Sequence, residues 1–365
     1  MPTPSWTMSQ RSHIWIFNVG RRLCVFIRTG LNQGIMYDFG SSDEFRPSEF
    51  LKENIIPYLD KYRKYALAQT IISHPHADHI SNIGCLIEQD KTPSIFYSSL
   101  HSCPHDKRQG SAQLEALDWG RIKNPKGSEG NVELYKSLYE KRTLPLQTIR
   151  YESDRSIPNL EYGLYYVRPP VVSEMFPNND LEYGNGTSLV VFYRHGFDTL
   201  LLPGDINPNA LKCLLDEKSG FEKRYTCFDG RQAAAHPSWH ERSGNQPPLK
   251  TLLDTHGLSI LLAPHHGLKS GFSQDLYSAI KDGKPGLVGI SEKRHLSETD
   301  GQVDPFYQST QGGKGQRVTI DGKEQQNVSV STRNGHHILI LFQGTGGTPE
   351  VFLDKDPRKL LTKLK

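Results

Sequence analysis

The chain has 365 residues, 36% of them hydrophobic, with 32 glycines, 23 prolines and a formal net charge of +3. That length suits one α/β domain with insertions or two domains, and the low apolar share implies a core modest relative to its loops. The charge is too balanced to require or exclude nucleic acid, and no apolar run reaches the ~20 residues of a membrane-spanning helix. Five cysteines without a C-x-x-C pair fit reduced thiols. With no signal-peptide core at the start of the sequence, the expectation is a cytoplasmic protein.

Residues 13–17, 23–28 and 34–38 read as three strands around tight turns at Val19-Gly20-Arg21 and Thr29-Gly30-Leu31. Asp38 ends the third strand and has two readings: a hydrogen-bond acceptor for the ligand-bearing loop further on, or a cap for Ser41-Ser42-Asp43. Residues 47–64 show helical spacing, with Phe50, Ile55, Ile56 and Leu59 on one face. A strand over 66–72 leads into Ser73-His74-Pro75-His76-Ala77-Asp78-His79, and a helix is expected from residue 80. His74, His76, Asp78 and His79 can converge at such a strand-to-helix junction. Neutral imidazoles and a carboxylate suit divalent zinc, with manganese or iron as alternatives. The plainer reading is a polar turn with clustered histidines; the H-x-H-x-D-H spacing behind an apolar strand favours a metal.

A short strand at 94–98 precedes a long irregular stretch, 101–158, with helical signals at 113–119 and 132–141 and mixed charge, expected as a solvated insertion or lid. Strands follow at 164–167, 187–194 and 199–202. The last two form a hairpin across His195-Gly196-Phe197-Asp198, with His195 read as an exposed turn residue. Gly204-Asp205 comes next, then a helix over 207–215 and a second insertion over 216–248. A strand at 258–263 leads into Pro264-His265-His266-Gly267, with Lys269 and Ser270 beyond it. A helix at 273–280, a strand at 287–291, a polar loop at 293–316 and strands at 318–320, 328–330 and 337–342 complete the pattern. Residues 346–365 are expected as a basic C-terminal tail with a surface helix over 355–365.

The heptad resembles the signature of the metallo-β-lactamase fold superfamily. Gly204-Asp205, behind an apolar strand, is similar to its metal-bridging aspartate, and Pro264-His265-His266-Gly267 to its last ligand block. Asn18-Val19-Gly20, Asp38-Phe39-Gly40, the Asn-x-x-Ser-Leu-Val run from Asn185 to Val190 and residues 284–291 resemble the competence-type branch. That branch comprises the soluble domain of the bacterial DNA-uptake channel and its free-standing relatives. The resemblance covers residues 14 to about 342 with two gaps. It implies an α/β fold, the αββα sandwich, as a single domain over 13–345 with insertions at about 101–158 and 216–248. No channel segment is expected from this sequence, so the resemblance does not extend to uptake.

In a two-metal site of that type His74 and His76 would hold the first ion, Asp78 and His79 the second, and Asp205 would bridge them. Zinc is the leading expectation, with manganese or iron possible. Asp78 would also orient the nucleophile. In an extended segment the neighbouring side chains of His265 and His266 diverge, and the resemblance favours His266, next to the glycine, as the ligand. His265 would then meet backbone or substrate, and Lys269 and Ser270 would grip a phosphate. Leu268 stands where the family usually has serine. The residue completing the first site stays open: Asn185, Thr187 and Ser188 stand where a histidine is usual, and His101 and His105 are substitutes. His236, His240, His256, His295, His336 and His337 default to surface or structural roles. The resemblance implies a metal-dependent hydrolase, a phosphodiesterase or nuclease acting on DNA, RNA or a nucleotide through a metal-activated water. The alternatives are a lactone- or thioester-type hydrolase and a catalytically weak metal-binding scaffold. A nucleic-acid or nucleotide partner is expected, and no membrane.

Overall fold

A computed structural model of the chain describes residues 11–30, 32–59, 67–86, 117–124, 126–141, 160–216, 247–292, 302–344 and 348–364. The apolar runs form β1 (Ser12–Ile16), β2 (Val25–Arg28), β3 (Gly34–Tyr37), β4 (Leu67–Ile71), β5 (Leu160–Tyr165), β6 (Val190–His195), β7 (Asp198–Leu202), β8 (Ile260–Leu262) and β9 (Leu287–Ile290). The later strands are β10 (Gln316–Ile320), β11 (Lys323–Asn327), β12 (Ser329–Ser331), β13 (His337–Phe342) and β14 (Glu350–Asp354). An eight-stranded sheet has the order β11-β10-β14-β13-β1-β2-β3-β4, and a six-stranded sheet the order β12-β9-β8-β7-β6-β5. The fold is mixed α/β.

The tight turns expected near the N-terminus give the antiparallel pairs β1·β2 and β2·β3, whereas β3·β4, β7·β8 and β8·β9 are parallel. Parallel neighbours need a long crossover. Helices Pro47–Asn54, Pro208–Leu215, Leu249–His256 and Gln274–Ala279 lie within those connections. Period-two alternation then sorts the strand residues into two cores. Ile14, Ile27 and Ile71 of the first sheet join Val191, Leu200 and Ile260 of the second in one cluster that holds no helical residue. Trp15, Phe26, Phe192 and Leu261, from the opposite parities, belong to another cluster with helical Phe50, Leu211, Leu253 and Leu276.

Several boundaries differ from expectation. The helix expected over 47–64 ends at Asn54 and gives way to a 3-10 turn, Ile56–Tyr58. Pro57 cannot donate to the helical ladder and clashes with the turn before it. The helix expected from residue 80 is a single turn, Ala77–Ile80, so Asp78 and His79 are helical. Helices Pro169–Met175 and Asp180–Gly186 were not foreseen; prolines open the first, and Asn179 caps the second by accepting from the Glu182 N–H at 3.2 Å. The segment expected as a tail is built into the fold. β14 sits between β10 and β13, and Pro357, Leu360 and Leu364 are buried, because Val351 and Leu353 alternate toward the core. The strand expected at 94–98, most of the 101–158 insertion and residues 217–246 lie outside the described residues. Among the described residues, no helix is long and apolar enough to cross a membrane.

Candidate metal centre

The loops that carry the candidate ligands and their partners all leave carboxyl ends of strands. Asp38 follows β3, the heptad follows β4, Gly204-Asp205 follows β7, Pro264–Gly267 follows β8 and Ser291 follows β9. Parallel pairing puts these ends side by side, the usual place for a ligand crevice in α/β sheets. Two hydrogen bonds join the loops directly: the His265 N–H donates to the Gly204 carbonyl (3.0 Å) and the Leu189 N–H to that of Ser73 (2.8 Å). Beneath them Tyr37 of the first sheet donates to the carbonyl of Leu189 (2.8 Å) beside the second.

One ligand atom from each of Asp78, His79, Asp205 and His266 lies within 4.8 Å of all the others. His79 Nε2 is 3.4 Å from Asp205 Oδ2 and 3.8 Å from Asp78 Oδ1; His266 Nε2 is 3.5 Å from Asp78 Oδ2 and 3.8 Å from Asp205 Oδ2. Each histidine is oriented through its other nitrogen. His79 Nδ1 is 2.7 Å from Asp38 Oδ2, and His266 Nδ1 is 2.9 Å from the Ser291 carbonyl. Both partners accept, so Nδ1 carries a proton and Nε2 is the nitrogen that faces the cluster. Asp38 also accepts from the Ser73 N–H (2.6 Å) and Ser73 Oγ (2.9 Å). It therefore braces the ligand loop and does not cap the segment after it.

The donors fit a divalent cation. Nε2 of His79 and of His266 and Oδ1 of Asp205 are buried without a hydrogen-bond partner, as are His76 Nε2 and Asn185 Oδ1. Buried polar atoms are nearly always paired, so orphans gathered at one site suit a bound cation. Burial disfavours charge on His79, but Asp205, Asp38 and Asp78 overcome it and hold its pKa well above the ordinary histidine value. The same contest, with Asp205 and Asp78, raises His266. Burial opposes ionisation of Asp205 too, yet the cluster's histidines, His79 first, keep it well below the usual carboxylate range. Two carboxylates that draw protons onto imidazoles can also favour a metal ion in the same place.

His74 and His76 lie beside this group. His74 Nε2 is 2.9 Å from His76 Nδ1, and the His74 and His79 ring centroids are 4.2 Å apart. Burial first, then the neighbouring histidines, lower the His74 pKa and keep it neutral, the form that binds metal. Ser73 Oγ (3.1 Å) and Ser188 Oγ (3.3 Å) contact His74 Nδ1, so Ser188 orients a histidine, and Thr187 Oγ1 donates to the Gly184 carbonyl (2.8 Å). Of the residues left open for the first site, Asn185 is the one that lines the central cavity, with its Oδ1 unpaired. His101 and His105 lie outside the described residues.

The His265-His266 segment is not extended. Both residues have left-handed φ, 49° and 58°, and Gly267 follows at 78°. Their rings separate through a strained turn and not through the pleat, a backbone that non-glycine residues rarely adopt and that concentrates at functional sites. His266 joins the cluster. His265 is partly exposed, with Nδ1 3.0 Å from Ser270 Oγ and Nε2 3.7 Å from Asp205 Oδ2. The cavity over the site measures about 590 Å³. Lys269 is not part of its described wall; Arg21, Arg22, Lys123 and Lys126 are. Those four cations had no motif to reveal them. Neither did Asn124, which accepts from the Ala77 N–H (2.6 Å) and donates to the Pro75 carbonyl (3.1 Å), clamping the heptad at both ends of its turn. His195 is buried, with Nδ1 2.8 Å from Ser12 Oγ. The exposed reading fails because the two-residue turn Gly196-Phe197 leaves His195 within β6. Cys24 and Cys213 are free thiols.

No family model matches the chain, and no curated protein matches it.

Proposed function

We propose that the chain is a metal-dependent phosphodiesterase or nuclease of the metallo-β-lactamase type. The observation that carries this reading is the convergence of Asp78, His79, Asp205 and His266, the heptad and the two later motifs meeting at one point, beneath a cationic wall. The core cluster shared by two sheets, with helical residues confined to the other cluster, supports the αββα sandwich that the type requires. His74 and His76 would hold a first ion; Asp78, His79 and His266 a second; Asp205 would serve both. Zinc suits the imidazole-rich set, and manganese or iron would also be accepted.

A divalent ion bound there supplies Lewis acidity and a nucleophilic water at neutral pH. The chain does the rest. Arg22 and Lys126, on the cavity wall, attract the anionic ester and neutralise charge that builds on its oxygens. Asp78, with its side chain 38% exposed, faces the cavity and can accept a hydrogen bond from the attacking water, aligning it. His265, held at Nδ1 by Ser270, has Nε2 available to pass a proton to the leaving oxygen. The cationic wall also argues against a neutral lactone or thioester as the preferred substrate.

The test is incubation with labelled single- and double-stranded DNA, RNA, cyclic dinucleotides and a generic phosphodiester, under zinc and manganese in turn. Hydrolysis should require the ion and be abolished by chelation. Preferred turnover of a neutral lactone would favour the alternative hydrolase, and bound metal with no turnover the scaffold.

A further inference from the structure

A second cavity, about 830 Å³, shares Arg21 and Arg22 with the cavity over the metal site. It is lined by the Asn18-Val19-Gly20 turn after β1 and by Arg333, Asn334 and Lys355, from the turn before β13 and the residue after β14. The Asn18 turn is tied to the start of β13, since the Asn18 N–H donates to His337 Nδ1 at 3.2 Å. None of these residues belongs to the metal cluster, so the second cavity can bind but has no hydrolytic group of its own. Asp43 and Glu44 also line it, against the four cations Arg21, Arg22, Arg333 and Lys355.

We infer that this cavity is a second anion subsite and that the substrate is a polynucleotide strand long enough to occupy both cavities. The inference rests on the phosphodiesterase reading. A mononucleotide or cyclic dinucleotide would be served by the metal cavity alone, because either cavity already falls within the ~300–1,000 Å³ of an ordinary small-ligand pocket. Two such cavities joined by a pair of arginines instead match a chain of regularly spaced phosphates, one group at the metal and others over the guanidinium bridge and beyond. Arginine, lysine and asparagine are the side chains that position phosphate backbones without reading sequence. Asp43 and Glu44 repel a polyanion, so the strand must follow the Arg333 and Lys355 side of the cavity. DNA and RNA offer the same phosphodiester chemistry here, and the test separates them.

The experiment compares a dinucleotide with a dodecamer, each as phosphorothioate DNA and as phosphorothioate RNA, by fluorescence anisotropy on the zinc-loaded full chain. The dodecamer should bind the natural protein at least about tenfold more tightly, a difference of ~1.4 kcal/mol. Arg333→Glu combined with Lys355→Glu should erase that gain and leave dinucleotide binding, metal content and melting temperature in place. The milder Arg333→Ala should lower the slope of log affinity against log salt by about one contact. Equal affinity for both lengths in the natural protein overturns the subsite, as does a length gain that survives the double substitution. If the chain hydrolyses a generic phosphodiester but shows no length gain, the subsite alone falls. If it neither binds strands nor hydrolyses the small ester, the phosphodiesterase reading falls with it.

Discussion

Asp38 Oδ2 lies 2.7 Å from His79 Nδ1, and both side chains are fully buried. The contact reaches the cluster from behind, through a residue that is not itself a ligand, and the same carboxylate holds the Ser73 backbone in place. Asp38 has φ 61°, a conformation asparagine tolerates as well as aspartate. Asp38→Asn should therefore keep the turn while removing the charge and one of the two acceptor oxygens. Metal affinity, measured by competition with a chromogenic chelator, should fall about 10- to 100-fold. Undiminished affinity would reduce Asp38 to a brace for the Ser73 loop.

The neighbouring histidines should separate cleanly. His266→Ala removes a member of the cluster and should cost bound metal and nearly all turnover. His265→Ala removes a partly exposed ring outside it, leaving metal content near normal and lowering turnover through proton transfer or substrate contact. Elemental analysis of both variants beside the natural protein checks this; metal loss in the His265 variant alone would reverse the assignment.

Gly184 lies against the His76 ring, and a Cβ there would collide with His76 Nε2. Alanine ordinarily stabilises a helix interior by about 1 kcal/mol over glycine. Gly184→Ala should do the opposite for function: displace His76, lower metal content and reduce activity. A variant that melts higher and holds its full metal complement would show that the ring moves aside freely.

Stability should weaken in mild acid through His195. Burial lowers its pKa to about 4, from ~6.5 in the unfolded chain. The unfolded state then takes up a proton that the native state refuses, so the contribution is intact above pH ~6.5 and is lost as pH falls toward 4, by at most ~3 kcal/mol. Asp198, opposite His195 in the β6·β7 register, has its pKa raised by burial and acts in the reverse sense. His337, lowered to about 4 as well, keeps part of the slope in any single variant. Urea unfolding across this range should show a flatter pH dependence in His195→Asn. Identical slopes would discount His195.

The strands were legible because their alternation is strong: Ile14 and Ile16 face one core, Trp15 and Phe17 the other. The heptad, Asp205 and the histidine pair were legible because ligand types stood at fixed distances from apolar runs; the choice of His266 over His265 came from the resemblance, since the segment is not extended. Other features had no such signal. Helices Pro169–Met175 and Asp180–Gly186 are each only seven residues long, too short for a helical period to register. β14 is only three apolar residues between charged ends, too short a run to set it apart from a solvated tail. The left-handed turn at His265-His266 is set by tertiary contacts, including the Gly204 carbonyl, and propensity alone would place neither residue there. Arg22, Lys126 and Asn124 come together only when distant loops meet, and their spacing along the chain carries no trace of it.

The candidate ligands come half from each sheet: Asp78 and His79 from the loop after β4, Asp205 and His266 from the loops after β7 and β8. A ribosome releases the chain from its N-terminus, so the histidine-rich heptad emerges well before the residues that finish the cage. Until the second sheet has formed, the heptad can offer an ion only a partial, exchangeable grip. Stable capture of an ion would thereby be deferred to a late stage of folding, when the shape of the finished cage, and not the first metal encountered, would decide which ion stays.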